Sequence, residues 1–308
     1  MLDVITGFAI VFAVIAVGWL LAKRDVIGEG EQRLMFNRVA FYAASPALIF
    51  SSVVVADPDN FLSPVVLVIS AATVLTSLVY VVASLLFFRM DVPKTTMGAS
   101  ASSYYNSVNI GLPVSLYVLG DATHVVPTLV VQMGLFTPII LGFLGSDSGE
   151  GSTRQRVLTS IRTAMTSPVV LAALGGMLIA YLGWTVPAPI LAPLQILGGA
   201  SVPMILMSFG ASLTMGGILA SDRIATVVST ALKVAGMPLI AWLLCGLFDV
   251  SPELTYTAVI LSALPTAQNI YNYAATYRRG EVIARDTVFL TTFLSMPAML
   301  MIAFLLGG

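Results

Sequence analysis

The sequence predicts an all-α polytopic membrane protein, with ten transmembrane helices arranged as two inverted five-helix repeats. The first reason is composition: 58% of the 308 residues are hydrophobic, only 9% are charged, and the mean hydropathy is +0.97. Soluble domains carry about a quarter charged residues. The second reason is a series of long apolar runs, and the third is the uneven distribution of lysine and arginine between the loops. A soluble enzyme is therefore excluded, and a net charge of −1 offers no basic field for nucleic acid.

Ten apolar runs follow one another along the chain, and a helix needs about 20 apolar residues to cross a bilayer. The first run is too long for the core of a signal peptide, and no small-residue cleavage site follows it, so we interpret it as a retained helix. The predicted spans are Val4–Ala22, Leu34–Val55, Pro64–Phe88, Thr96–Leu119, Val125–Leu144, Pro168–Trp184, Pro193–Leu219, Ile224–Leu247, Leu254–Tyr277 and Thr287–Leu306.

The long polar stretch Gly145–Arg162 is rich in glycine and serine and is typical of a linker. It separates a first repeat (residues 1–145) from a second (residues 164–308), with residues 146–163 as a cytoplasmic linker. Five spans in each half mean that the second half enters the membrane in the opposite direction. Short matches recur in the same order in both halves, such as Gly18-Trp19 with Gly183-Trp184. Inverted repeats that each contain a broken helix are typical of secondary transporters.

The positive-inside rule sets the orientation in the cell membrane. With both termini extracytoplasmic, all but one of the 14 lysines and arginines lie at the cytoplasmic side. The exception is Lys233, which lies within the eighth span about 14 Å from its inner edge. An unpaired charge at this depth in the membrane costs free energy, so we expect Lys233 to have a partner or a function. The alternative is a long side chain that reaches back to an inner vestibule.

Spans four and nine are each interrupted by proline, at Pro113 and Pro265. Proline removes a backbone donor and clashes with the preceding turn, and the freed backbone groups cannot face lipid. Amide side chains cluster beside both breaks and could line a wet cavity, where half-helix N-termini favour an anion. The alternative is that these amides only join helices. The amides are Asn106 and Asn109, three residues apart in span four, and Gln268, Asn269 and Asn272 in span nine.

Three segments carry a family resemblance: NSVNIGLP in span four, ALPTAQN in span nine and FNRVAFYAASPALIF in span two. They resemble the motifs of the auxin efflux carrier family, which includes the plant PIN proteins and bacterial malate or malonate permeases. The resemblance covers essentially the whole chain, although the long central loop of the plant proteins is absent.

This resemblance implies a fold similar to bile-acid and sodium/proton transporters, in which helices four and nine cross near Pro113 and Pro265. It implies substrate contacts from Asn106 and Asn269, a scaffold of helices one, two, six and seven, a moving bundle of the other six, and a homodimer. The additional amides Gln268 and Asn272 suggest a substrate more polar than auxin.

The predicted function is secondary transport of small organic anions, either auxin-like or malate- and malonate-like, by alternating access at a midplane helix crossing. The alternatives are a bile-acid-type symporter coupled to sodium or protons and, less favoured, a passive channel. All 15 acidic residues map to loops or helix ends, which argues against an Asp- or Glu-based cation exchanger. No enzymatic activity, cofactor or metal is expected, because one histidine (His124) and one cysteine (Cys245) form no catalytic or metal-binding set. The candidate substrate-binding residues are Asn106, Asn109, Pro113, Lys233, Pro265, Gln268, Asn269 and Asn272.

Overall fold

The computed structural model describes residues 2–28, 31–55, 63–111, 125–145, 166–214 and 217–306, together with residues 114, 115, 119 and 162. In these residues the secondary structure is helical, apart from one isolated β-bridge. The α-helices are α1 (Leu2–Lys23), α2 (Glu31–Val39), α3 (Ser45–Val53), α4 (Pro64–Ala83), α5 (Val92–Ser103), α6 (Val125–Val131), α7 (Thr137–Gly145), α8 (Pro168–Tyr181), α9 (Ala188–Gly199), α10 (Ser201–Ser212), α11 (Arg223–Ala231), α12 (Met237–Leu247), α13 (Pro252–Ser262), α14 (Gln268–Tyr277) and α15 (Glu281–Leu306).

Short π-helical turns lie within or beside several of these helices. Such turns widen the helix by one residue and are frequent at functional sites. Four of them follow α2, α4, α6 and α11 directly, and a fifth follows α5 after three non-helical residues. They are Ala40–Ala44, Ser84–Phe88, Gln132–Phe136, Leu232–Gly236 and Ser107–Gly111.

Among the described residues, five helices are long and apolar enough to cross a membrane: Pro64–Phe88, Pro127–Leu144, Ala188–Ser212, Arg223–Leu247 and Glu281–Leu306. Large apolar side chains cover the outside of the molecule; Phe304, for example, is 87% exposed. Such a surface is unsuited to water and suited to lipid. The chain is therefore an all-helical membrane protein.

Helix α1 packs against α10, and α8 packs against α3. The first pair approaches at glycine. A Cβ atom added to Gly18 would lie 2.0 Å from the Met207 carbonyl oxygen, and one added to Gly210 would lie 2.0 Å from that of Ile15. Only glycine permits this backbone contact, as is common where helices meet in membranes.

The last helix begins at Glu281, six residues before the predicted start of span ten. This difference has a physical cause, because a buried ion pair lies within the second turn. Arg285 Nε donates to Asp286 Oδ1 at 2.7 Å, and Asp286 Oδ2 accepts from the Leu219 N–H at 2.8 Å. Asp286 is 0% exposed. Asp286 lies near a helix end, as the sequence predicts, but it is buried there, and its burial is tolerated because a guanidinium and an amide satisfy it.

Candidate functional site at a helix crossing

The two interrupted spans cross each other through short unwound segments. Helix α5 ends at Ser103 and α13 ends at Ser262. The Asn106 N–H donates to the Pro265 carbonyl at 2.8 Å, and the Ala267 N–H donates to the Tyr104 carbonyl at 3.0 Å. These two bonds frame an antiparallel bridge between Tyr105 and Thr266. Backbone groups that unwinding frees thus satisfy each other inside the protein, as a membrane interior requires.

The unwinding around Pro265 lies where the sequence predicts it. Span four is also unwound, at residues 104–106, where pairing with the other segment accompanies an extended Tyr104. The break predicted at Asn109–Pro113 stays a prediction. Pro113 lies outside the described residues, as does the side chain of Asn109.

A buried polar network holds the crossing in place. Thr266 Oγ1 donates to the Ala101 carbonyl at 2.6 Å, and the Thr266 N–H donates to Thr291 Oγ1 at 3.1 Å. Gln132 Nε2 donates to the Tyr105 carbonyl at 2.9 Å, and its oxygen accepts from the Ser107 hydroxyl. The sequence analysis missed Gln132. Its signal was available, because Gln132 is the single amide side chain in the apolar run of residues 125–144.

Asn106 and Gln268 meet at the crossing. Asn106 Nδ2 donates to Gln268 Oε1 at 2.7 Å, and both residues are buried. The pair is 162 residues apart in sequence, and each member comes from a different predicted repeat. Gln268 begins α14, so the positive end of that half-helix also lies here.

A small cavity of about 30 Å³ opens beside this amide pair. This is room for about one or two water molecules, so an organic acid requires side chains to move apart. Its lining residues come from both unwound segments, from α3, α6, α10 and α14, and from the π-helical turns that begin at Ser107 and Gln132. They are Ser45, Leu48, Ile49, Ser52, Tyr104, Tyr105, Asn106, Ser107, Leu129, Gln132, Met133, Ser201, Val202, Ile205, Ala267, Gln268 and Asn269.

Two serines, Ser45 and Ser201, line the same cavity. The hydroxyls of Ser45 in α3 and Ser201 in α10 lie 2.9 Å apart and are buried. They lie 156 residues apart, one in each predicted half of the chain. The sequence analysis did not single them out, because serine is common in membrane helices and no amide lies beside either one.

Lys233 lies behind the crossing rather than in the cavity lining. Its ammonium donates to the Ser262 carbonyl at 2.7 Å and to Met237 Sδ at 3.1 Å, and it lies 5.8 Å from the centroid of the Tyr105 ring. Ser262 is the last residue of α13, so the cation caps the negative end of that half-helix. The alternative of a side chain reaching a vestibule is wrong, because Lys233 is 0% exposed.

The remaining candidates divide into two groups. Asn269 lines the cavity, and Pro265 contributes its carbonyl to the crossing. Asn272 lies one turn further along α14, does not line the cavity, and has a buried oxygen without a partner in the described part of the chain. The structure therefore brings Asn106, Gln268 and Asn269 together and leaves Asn272 apart.

Comparison with known proteins agrees with a transporter. A family model described as "Membrane transport protein" matches residues 3–303. A protein of Rhizobium meliloti (strain 1021), named "Putative malonate transporter", is 28% identical over 95% of this chain and 92% of its own length. An uncharacterized transporter of Methanothermobacter thermautotrophicus is 28% identical over 94% of each chain, and one of Methanocaldococcus jannaschii is 21% identical over 93% of this chain and 94% of its own. Because the family model spans nearly the whole sequence, this chain belongs to the membrane transport protein family, that is, the PIN-like auxin efflux carrier family.

Proposed function

We propose that the protein is a secondary transporter of small carboxylates of the malonate and malate type, and that the substrate binds at the helix crossing. The observation that carries this proposal is the Asn106–Gln268 amide pair, which joins the two interrupted spans beside the cavity. The malonate transporter named among the relatives supports the choice of substrate class.

The crossing has the donors that a carboxylate needs. Asn106, Gln268 and Asn269 supply amide N–H groups to the lining of the cavity, and Ser45 and Ser201 supply hydroxyls to the same lining. A carboxylate accepts several such bonds, and each hydrogen bond to a charged group is stronger than a neutral one. The amide-rich lining favours a small polar acid over the apolar ring of auxin.

Positive potential at the crossing comes from two sources. The N-terminus of α14 begins at the cavity, and helix N-termini attract anions. The Lys233 ammonium lies 5.8 Å from the centroid of the Tyr105 ring, and Tyr105 lines the cavity. Because Lys233 occupies the carbonyl end of α13, where a free cation would otherwise be attracted, we propose that it acts as a fixed cation and that no sodium ion binds there.

Alternating access in this proposal depends on two inverted repeats that cross the membrane ten times. Helix α1, the first span of the first half, packs against α10, which belongs to the second span of the other half. Helix α8, the first span of the second half, packs in the same way against α3, which belongs to the second span of the first half. These two equivalent contacts support the repeat. The Ser45–Ser201 contact supports it in the same way. In this proposal these helices, with α2 and α9, form the scaffold of spans one, two, six and seven, the others move, and the protein is a homodimer in the cell membrane with both termini outside.

A binding screen tests the substrate class. Thermal stability of the purified protein is measured with malonate, malate, acetate and indole-3-acetate, because a ligand of the native state raises the unfolding temperature. We expect stabilisation by the dicarboxylates, and exchange of labelled malonate by proteoliposomes. Stabilisation by indole-3-acetate alone would favour an auxin-like substrate, and the absence of binding by any carboxylate would refute the proposal.

A further inference from the structure

A large groove lies on the surface of the protein between α4, α5 and α7. Its volume is about 500 Å³, whereas the cavity at the crossing has about 30 Å³. Leu78 and Phe143 line it with exposed side chains, and Leu85 lines it with a side chain that is 67% exposed. The groove therefore opens on the apolar outer surface, where the bilayer surrounds the protein.

The length of the groove matches one leaflet of a bilayer. It follows α4 and the π-helical turn after it from Thr73 to Leu85, which corresponds to about 18 Å along a helix axis. One leaflet supplies about half of a hydrocarbon core of about 30 Å. In the predicted orientation the span Pro64–Phe88 ends at the cytoplasmic surface, so the groove lies in the cytoplasmic leaflet.

Several residues of the lining carry hydroxyl groups, but these hydroxyls have partners inside the protein. Thr73 Oγ1 donates to the Ile69 carbonyl at 2.9 Å, and Thr96 Oγ1 donates to a carbonyl of its own helix at 2.8 Å. The hydroxyls of Ser77 and Ser103 lie 2.8 Å apart and bond each other. A bound water molecule needs two to four polar partners, whereas an apolar chain needs none. The lining therefore favours an apolar chain over water or a polar solute.

A cation lies at the cytoplasmic end of the groove. Arg89 is exposed in the turn between α4 and α5 and directly precedes Met90, which lines the groove. Among the described residues, no carboxylate forms an ion pair with Arg89, whereas the nearby Lys94 pairs with Asp222 at 3.5 Å. The Asp91 carboxylate accepts from the backbone N–H of Lys94 at 2.8 Å. The guanidinium of Arg89 is thus available for a phosphate, which it can bind in a bidentate manner.

We propose that the groove binds one acyl chain of an anionic phospholipid from the cytoplasmic leaflet, with the phosphate of the lipid at Arg89. The chain lies along α4 and α5, and its end reaches Tyr104. Tyr104 also lines the cavity at the crossing, so the lipid contacts one residue of the wall of that cavity. The lipid site is separate from the proposed carboxylate site, and lipid binding does not depend on malonate transport.

Native mass spectrometry of the full-length protein, purified in detergent and stripped of lipid, tests the preference for an anion. Titration with phosphatidylglycerol and with phosphatidylcholine of the same chains gives the dissociation constant of the first bound lipid. We expect phosphatidylglycerol to bind about fivefold more tightly, because it alone carries a net negative charge to the cation at the end of the groove. Equal dissociation constants would overturn the proposal.

Val81→Trp tests the place of the acyl chain, because Val81 lines the groove and a tryptophan ring there displaces several methylene groups of the chain. Val82→Trp is the matched control, since Val82 is the next residue, is 53% exposed and does not line the groove. We expect the first lipid to bind roughly tenfold more weakly to Val81→Trp and with unchanged affinity to Val82→Trp. If Val81→Trp does not fold, Leu78→Trp at a more exposed position of the same wall carries the test. Equal affinities for the groove variant and Val82→Trp would refute a site in the groove.

Arg89→Gln tests the place of the phosphate. We expect this variant to bind phosphatidylglycerol and phosphatidylcholine about equally, whereas Arg24→Gln, which removes an exposed cation just after α1, should keep the preference. A preference that survives Arg89→Gln would contradict the proposed headgroup contact. The same spectra report the oligomeric state. Loss of a dimer in Val81→Trp, with lipid binding unchanged, would assign the groove to a second copy of the chain and refute the lipid site.

Discussion

Lys233 offers a quantitative test, because its charge is fixed at a known place behind the crossing. Replacing it by methionine keeps the length and apolar stem of the side chain and removes the ammonium. A carboxylate in van der Waals contact with the face of the Tyr105 ring that is turned away from Nζ would lie about 9 Å from Nζ, given the 5.8 Å from Nζ to the ring centroid. At an effective dielectric constant of about 20, that distance corresponds to about 2 kcal/mol for each substrate charge.

A dianion should therefore lose more than a monoanion. After some screening, we expect Lys233→Met to weaken binding of a monocarboxylate by roughly tenfold and of malonate by roughly a hundredfold, since 1.4 kcal/mol is a factor of ten. The variant also leaves the Ser262 carbonyl without its donor, which we expect to cost about 1–3 kcal/mol of stability. Calorimetric titration measures the first effect, and thermal unfolding the second.

Lys94→Met is the matched control, because Lys94 is partly exposed and pairs with Asp222 at the surface. We expect its malonate affinity to stay within about twofold of the native protein, since exposed ion pairs contribute little. If Lys233→Met binds mono- and dicarboxylates with native affinity, or weakens both equally, Lys233 does not act on the substrate through its charge. Lys233 would then only cap α13.

Two further predictions concern the fold. Asp286→Ala should destabilise the protein by about 3–5 kcal/mol, because it leaves the Arg285 guanidinium buried without its carboxylate. Replacing both residues by apolar ones should destabilise the protein much less. Equal unfolding temperatures for the single and double variants would contradict this interpretation. For the topology, cysteines introduced at Ser251 and Arg279 in a Cys245→Ala background should differ in reaction with an impermeant maleimide added to whole cells. Position 251 should react and position 279 should not, and the reverse result would invert the proposed orientation.

The sequence predicts much of the site because its signals are local. A proline with amides beside it in an apolar run predicts unwinding, and Pro265 lies in an unwound segment. Amides beside such a proline are unusual in a membrane, and Asn106 and Gln268 do meet. Both conclusions need only the residue types and their spacing, since a membrane interior penalises any unpaired polar group.

The remaining features depend on contacts between distant parts of the chain. Tyr104 is extended because its carbonyl accepts a hydrogen bond from the Ala267 N–H, more than 160 residues away. No residue near Tyr104 in the sequence indicates that partner. The Lys233 ammonium donates a hydrogen bond to a backbone carbonyl. Every residue has such a carbonyl, so no pattern of side chains identifies the one that Lys233 contacts. Asp286 is buried because the loop before α11 folds over it, which charge counting along the chain does not reveal.

The central claim is that the substrate binds at the crossing through amides from both interrupted spans, and malonate affinity in Asn106→Ala and Gln268→Ala tests it most directly. Loss of a hydrogen bond to a carboxylate costs about 1.5–3 kcal/mol, so each variant should bind malonate roughly ten- to a hundredfold more weakly in calorimetric titration. Gln195→Ala removes an exposed amide of α9 and should bind as the native protein does. Native affinity in both crossing variants, with folding intact, would contradict a substrate site at the crossing.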